Sequence, residues 1–95
     1  MSKILVVDDN PVNCDLLSRR LTRAGYTVSA VDGGQHALNL IIEQPFDLVL
    51  LDIMMPDMDG ITVLGLLRQT YSRSDLPVIM VTAKGETDDI VNALE

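Results

Sequence analysis

The stretch Leu48-Val49-Leu50-Leu51-Asp52 decides the fold, because its apolar residues run without a break and stop at a carboxylate. A strand with one wet face alternates apolar and polar side chains, so a continuous run implies a strand covered on both faces, as in the parallel sheets of α/β proteins. Ile4-Leu5-Val6-Val7, stopping at Asp8-Asp9, reads the same way, as does Val78-Ile79-Met80-Val81, which follows Pro77 and stops at Thr82. Tyr26 to Val31, rich in the β-formers Tyr26, Thr27, Val28 and Val31, supplies a fourth strand.

Between these strands the spacing becomes helical. Asn10 is a candidate N-cap with Pro11 at the first helical position, and Val12, Leu16, Leu17, Leu21 and Ala24 form a stripe that Gly25 ends. A second helix, roughly Gln35 to Glu43, is expected to turn Ala37, Leu38, Ile41 and Ile42 inward. A third, from Ile61 to about Tyr71, turns Ile61, Leu64 and Leu67 inward, and a fourth begins near Glu86 with Ile90, Val91 and Leu94. Strands and helices alternating through short loops predict a doubly wound parallel sheet with right-handed crossovers and helices on both faces.

At 95 residues the chain holds one compact domain, and 47% hydrophobic against 22% charged residues excludes intrinsic disorder. Seven Lys and Arg against fourteen Asp and Glu leave a net charge of −7, which argues against direct binding to nucleic acid or to anionic membranes. With Tyr26, Phe46 and Tyr71 as its aromatics, the chain also lacks a stacking platform for single strands. Cys14 has no second cysteine to pair with, no secretory apolar segment follows Met1-Ser2-Lys3, and no run approaches the ~18 residues of a membrane span, so a soluble, cytoplasmic protein is expected.

The chemistry gathers where such folds build their sites, outside the carboxyl ends of the strands. Those ends carry Asp8, Asp9, Asp52 and Thr82. One such aspartate could simply cap a helix, but several at adjacent strand ends repel, each pair by about 3 kcal/mol at 5 Å and an effective dielectric near 20. No Arg or His lies beside them in the sequence, so a hard divalent cation with oxygen ligands, Mg²⁺ above all, is the expected partner. The segment Met54-Met55-Pro56-Asp57-Met58-Asp59-Gly60 is at least a turn, with Pro56 fixing its φ. It is not a calcium loop: with Gly60 at loop position six, Met55 and Leu66 would occupy the first and last ligand positions. A flavin-phosphate loop fails as well, since Asp8-Asp9-Asn10-Pro11 repels phosphate. His36 is expected on the surface near Gly33-Gly34, away from the acidic residues, Cys14 as an unreactive helix residue, and Met54, Met55, Met58 and Met80 as packing.

Taken together, the acidic pair closing the first strand, Asp52 with Met54-Met55-Pro56-x-Met58-Asp59-Gly60 after it, and Thr82-Ala83 closing the fourth strand resemble the receiver domain of two-component response regulators. The resemblance covers residues 1–95 and implies a flavodoxin-like sheet in the order 2-1-3-4, with the family's fifth strand and fifth helix missing from this chain, a C-terminally incomplete receiver. It further implies that Asp52 is the phosphoacceptor, attacking a phosphohistidine on a histidine kinase or phosphotransfer protein. Asp9, Asp52 and the backbone carbonyl of Met54 would hold Mg²⁺ directly and Asp8 through a water, while Thr82 would be the switch hydroxyl. The family's fifth-strand lysine has no counterpart, since Lys84 matches a variable position that tunes dephosphorylation.

A signalling switch is thus expected rather than an enzyme acting on an outside substrate. Two other classes compete. A metal-dependent phosphohydrolase would carry an acid two positions after its nucleophile, where Met54 stands. A phosphorylation-independent interaction module is the alternative. A fourth strand left with an open apolar edge also leads to the expectation of a homodimer through that edge.

Overall fold

The computed structural model describes residues 2–53 and 55–81. Its elements run β1 (Lys3–Val7), α1 (Pro11–Arg23), β2 (Thr27–Val31), α2 (Gly34–Glu43), β3 (Leu48–Asp52), α3 (Gly60–Thr70) and β4 (Val78–Val81). The sheet is parallel throughout, in the order β2-β1-β3-β4, with Ile4 opposite Val28 and Leu48, and Asp52 opposite Val81. Among the described residues β4 pairs with β3 alone. Met54, Thr82, Lys84 and the expected fourth helix lie outside the described residues.

The unbroken apolar runs have the expected cause. Ile4, Val6 and Leu50 pack on one face with Leu17 and Leu21 of α1, whereas Leu5, Val7, Val49 and Leu51 pack on the other with Ala37 and Ile41 of α2 and Val63 and Leu67 of α3. Alternate side chains of a strand point to opposite faces, so both faces need apolar residues. No helix among the described residues is long and apolar enough to cross a membrane.

α1 begins as expected, with Asn10 Oδ1 accepting from Val12 N at 2.9 Å and Asn13 N at 3.4 Å. It ends in a Schellman turn: Tyr26 N donates to Leu21 O and Gly25 N to Thr22 O, both at 3.0 Å, with Gly25 at φ 102°. The inward faces are narrower than the sequence suggests. Val12 (64% exposed), Leu16 (44%), Ile42 (78%) and Ile61 (66%) face solvent, as does Ala24. Val12, Leu16, Ile42 and Ile61 each stand about 100° or more around their helix from the buried pairs Leu17–Leu21, Ala37–Ile41 and Val63–Leu67, since one sheet surface covers only part of a helix, while Ala24 is the C-cap residue just past the last turn of α1.

Candidate functional site

The sheet register brings the carboxyl ends of β1 and β3 side by side, Val7 opposite Leu51, and so assembles three carboxylates from two distant parts of the chain. One oxygen from each of Asp8, Asp9 and Asp52 lies within 4.8 Å of the others. Asp8 and Asp52 are both 5% exposed, and Asp9 is exposed. At these separations each like-charged pair carries a repulsion on the order of 3 kcal/mol at an effective dielectric near 20, which a cation would reverse. Three carboxylates of this kind form a hard, all-oxygen donor set, suited to Mg²⁺ rather than to a thiophilic metal.

Local structure fixes each member. Asp8 Oδ1 accepts from Asn10 N at 2.9 Å, which turns the chain from β1 towards α1, and Asp8 N donates to Val31 O at 3.1 Å. Asp52 is the last residue of β3. After it, Gly60 N donates to Ile53 O at 2.8 Å, closing the loop of residues 53–59 at its base. A Cβ at Gly60 would run into the Asp52 carbonyl oxygen and come within 2.9 Å of Ile53 Cα, so only glycine lets α3 start this close to the β3 backbone. Asp59 then caps α3 by accepting from Thr62 N at 2.7 Å, and that bond holds its carboxyl below the usual range.

Asp9 stands between two shallow hollows. One is lined by Ile53, Met55, Pro56, Asp59 and Ile61, the other by Pro11, Cys14, Ala30, Asp32 and His36. His36 is therefore exposed, as expected, but not remote from the acidic residues: β2 lies beside β1, so the loop after β2 shares a hollow with Asp8 and Asp9. Its Nδ1 lies 3.6 Å from Asp32 Oδ1. Cys14 is half-buried, its Sγ 3.1 Å from Asp8 O and 3.8 Å from Val31 O. Burial and then the negative charge of Asp8 push its thiol up to about 11, which keeps it protonated and unreactive. Met55 is buried, and Met58 and Met80 pack against the core.

Sequence reasoning passed over Asp57. Its carboxylate accepts from Gly34 N and Gln35 N, each at 3.3 Å, across to the start of α2. The available signal was indirect: Gly33, the residue before α2, has no side chain with which to cap it.

With this geometry in hand, comparison with known proteins is specific. Residues 4–95 match the family described as the response regulator receiver domain. The transcriptional regulator RpaA of Synechocystis is 42% identical over all of this chain and 39% of its own length. Escherichia coli CpxR is 44% identical over all of this chain and likewise 39% of its own length. The chain thus spans about two fifths of the curated relatives it matches. Among solved structures, Thermotoga maritima TrrA in complex with Mg²⁺-BeF superposes with a TM-score of 0.82 at 34% identity, covering 99% of this chain and 80% of that one. TrrA bound to the histidine kinase ThkA gives 0.82 at 37% identity, covering 90% and 72%.

Proposed function

Because the chain belongs to the response regulator receiver family, we propose that it accepts a phosphoryl group on Asp52 from a histidine kinase or phosphotransfer protein and passes the signal on as a change of conformation. The observation that carries this reading is the convergence of Asp8, Asp9 and Asp52 within 4.8 Å at the carboxyl ends of β1 and β3. It agrees with TrrA, a relative whose structures contain Mg²⁺-BeF in one case and a histidine kinase in another.

In this reading Asp9, Asp52 and the backbone carbonyl of Met54 would hold Mg²⁺ directly and Asp8 would act through a water. When bound, the ion supplies positive charge beside the phosphoryl oxygens. Asp52 is the nucleophile: one carboxylate oxygen bonds to phosphorus, the phosphorus–nitrogen bond of the donor phosphohistidine breaks, and the imidazole leaves. Asn10 N holds Asp8 in orientation through its 2.9 Å bond, and the base of the loop closed by Gly60 fixes the backbone leaving Asp52. Thr82 donates its hydroxyl to the phosphoryl group as the switch. Met54, two positions after the nucleophile, cannot orient a water, so the acyl phosphate is long-lived.

The chain is a switch rather than an enzyme with an outside substrate, and its place is the cytoplasm. Its partners are proteins. The net charge of −7 argues against direct contact with nucleic acid by this segment, although RpaA is named as DNA-binding. Self-association through the side of β4 that carries no partner strand among the described residues belongs to the same proposal. Incubation with acetyl phosphate and Mg²⁺, followed by mass spectrometry, tests it: wild type gains one phosphoryl group, Asp52→Asn gains none, and Thr82→Ala gains it without the conformational response. Failure of the wild type to gain label overturns the proposal in favour of a phosphorylation-independent interaction module.

A further inference from the structure

α2 begins without a cap of its own. Gly33 offers no acceptor side chain, and no acidic residue lies in the first turn. The acceptor arrives from the loop after β3: Asp57 Oδ1 takes Gly34 N and Oδ2 takes Gln35 N, both at 3.3 Å. The glycine pair makes room for it. A Cβ at Gly33 would stand 2.9 Å from Asp57 Oδ2, and one at Gly34 would stand 2.6 Å from Val63 Cγ2 and 3.1 Å from Met58 Cβ. The amides of Gln35 and Gly34 stabilise the charged carboxylate, which is held below its usual range. The loop of residues 53–59 is therefore fastened twice, at its base by Gly60 N to Ile53 O and further along by Asp57 to α2.

We propose that Asp57 is a positioning residue which, by capping α2 from outside, holds the loop between Asp52 and α3 in the form that binds a cation beside Asp52. This rests on the phosphoacceptor reading and adds a coupling to it. A cap supplied by a helix's own flanking residue stabilises that helix alone. A cap supplied by a loop links the two, so whatever orders the loop must also order the first turn of α2, by an equal free energy in both directions.

Mg²⁺ alone, titrated into the 95-residue chain, reads the coupling through amide shifts at residues 8, 9 and 52 and through hydrogen exchange at Gly34 and Gln35. Asp57→Ala is expected to weaken Mg²⁺ binding by about tenfold, and Asp57→Asn, which keeps one acceptor oxygen, by about threefold. Saturating Mg²⁺ slows exchange at Gly34 and Gln35 in the wild type and leaves it unchanged in Asp57→Ala. Gly33→Ala, whose methyl group displaces Oδ2, reproduces the loss from the other partner if the Asp57 variants fail to fold. Unaltered Mg²⁺ affinity in Asp57→Ala, with protection of the two amides lost, overturns the proposal and leaves Asp57 an ordinary cap. A wild type whose shifts at residues 8, 9 and 52 ignore Mg²⁺ overturns the phosphoacceptor reading itself, an outcome recognisable because it needs no variant.

Discussion

At the amino ends of the strands, charges meet partners. Lys3 N donates to Asp47 Oδ2 at 2.7 Å, while Lys3 Nζ reaches Gln44 Oε1 and lies 5.0 Å from the centre of the Phe46 ring. Arg68 Nη1 donates to the carbonyls of Tyr71, Ser72 and Leu76 at 3.3, 3.1 and 2.8 Å, gathering the turn that leads into β4. At the carboxyl ends like charges gather instead, with Asp8, Asp9 and Asp52 drawn to within 4.8 Å of one another. One end of the sheet spends its polar groups on holding the chain together; the other concentrates like charge that a cation would offset. The contrast shows why removing a charge should act on stability in opposite directions at the two ends of the same strands.

The largest effect should come from a change of shape at the acidic end. Gly60→Ala forces a methyl group into the Asp52 backbone, which has no flexible side chain to move aside, and is expected to cost about 3 kcal/mol in urea denaturation. A variant as stable as wild type would show that the start of α3 can back away from β3. At the amino end, Arg68→Ala removes three hydrogen bonds from one cation and should cost about 2 kcal/mol. Arg68→Lys should recover only part of this, because an ammonium lacks the planar fork. Charge removal at the acidic end should have the opposite sign: without metal, Asp9→Asn relieves repulsion and raises the thermal midpoint by about 4 °C, an advantage that Mg²⁺ abolishes. Equal destabilisation by Asp9→Asn and Arg68→Ala would erase the distinction between the two ends.

The smallest effect is a dependence on pH. Asp59 and Asp57 are both held below the ordinary carboxylate value of 3.8 by backbone amides, Thr62 N and Gln35 N foremost. Folded carboxyls with lowered pKa contribute stability that is fully present above 3.8 and lost as pH falls through their lower folded values. Calorimetry of wild type, Asp57→Asn and Asp59→Asn between pH 6 and acid should show both variants with a shallower loss. Parallel curves would mean these carboxyls are equally anchored in the unfolded chain.

Strand identity was legible because β1 and β3 are covered on both faces, which leaves no choice of direction for their side chains, whereas the strand order came from the resemblance to the receiver family. The acidic cluster followed, since it sits where those strands end. Helix facing was harder. Val12, Leu16, Ile42 and Ile61 are apolar yet exposed, and an apolar residue on a helix carries no mark of whether a neighbour will cover it. What could not be read was contact between distant loops. His36 shares a hollow with Asp8 only because β2 lies beside β1, and Asp57 reaches α2 only because the loop after β3 folds over Gly33 and Gly34.

The strand order also sets a schedule of assembly. β2 joins β1, β3 takes the other side of β1, and β4 takes the free side of β3, so every strand is laid on an edge already open. None has to be threaded between two that are already paired. A chain emerging from the ribosome amino end first can therefore complete each pairing in the order of synthesis, with one crossover closed at a time. Asp8 and Asp9 arrive with β1, but Asp52 joins them only when β3 docks, so the mutual repulsion of the three is imposed after β1 and β2 have already been secured.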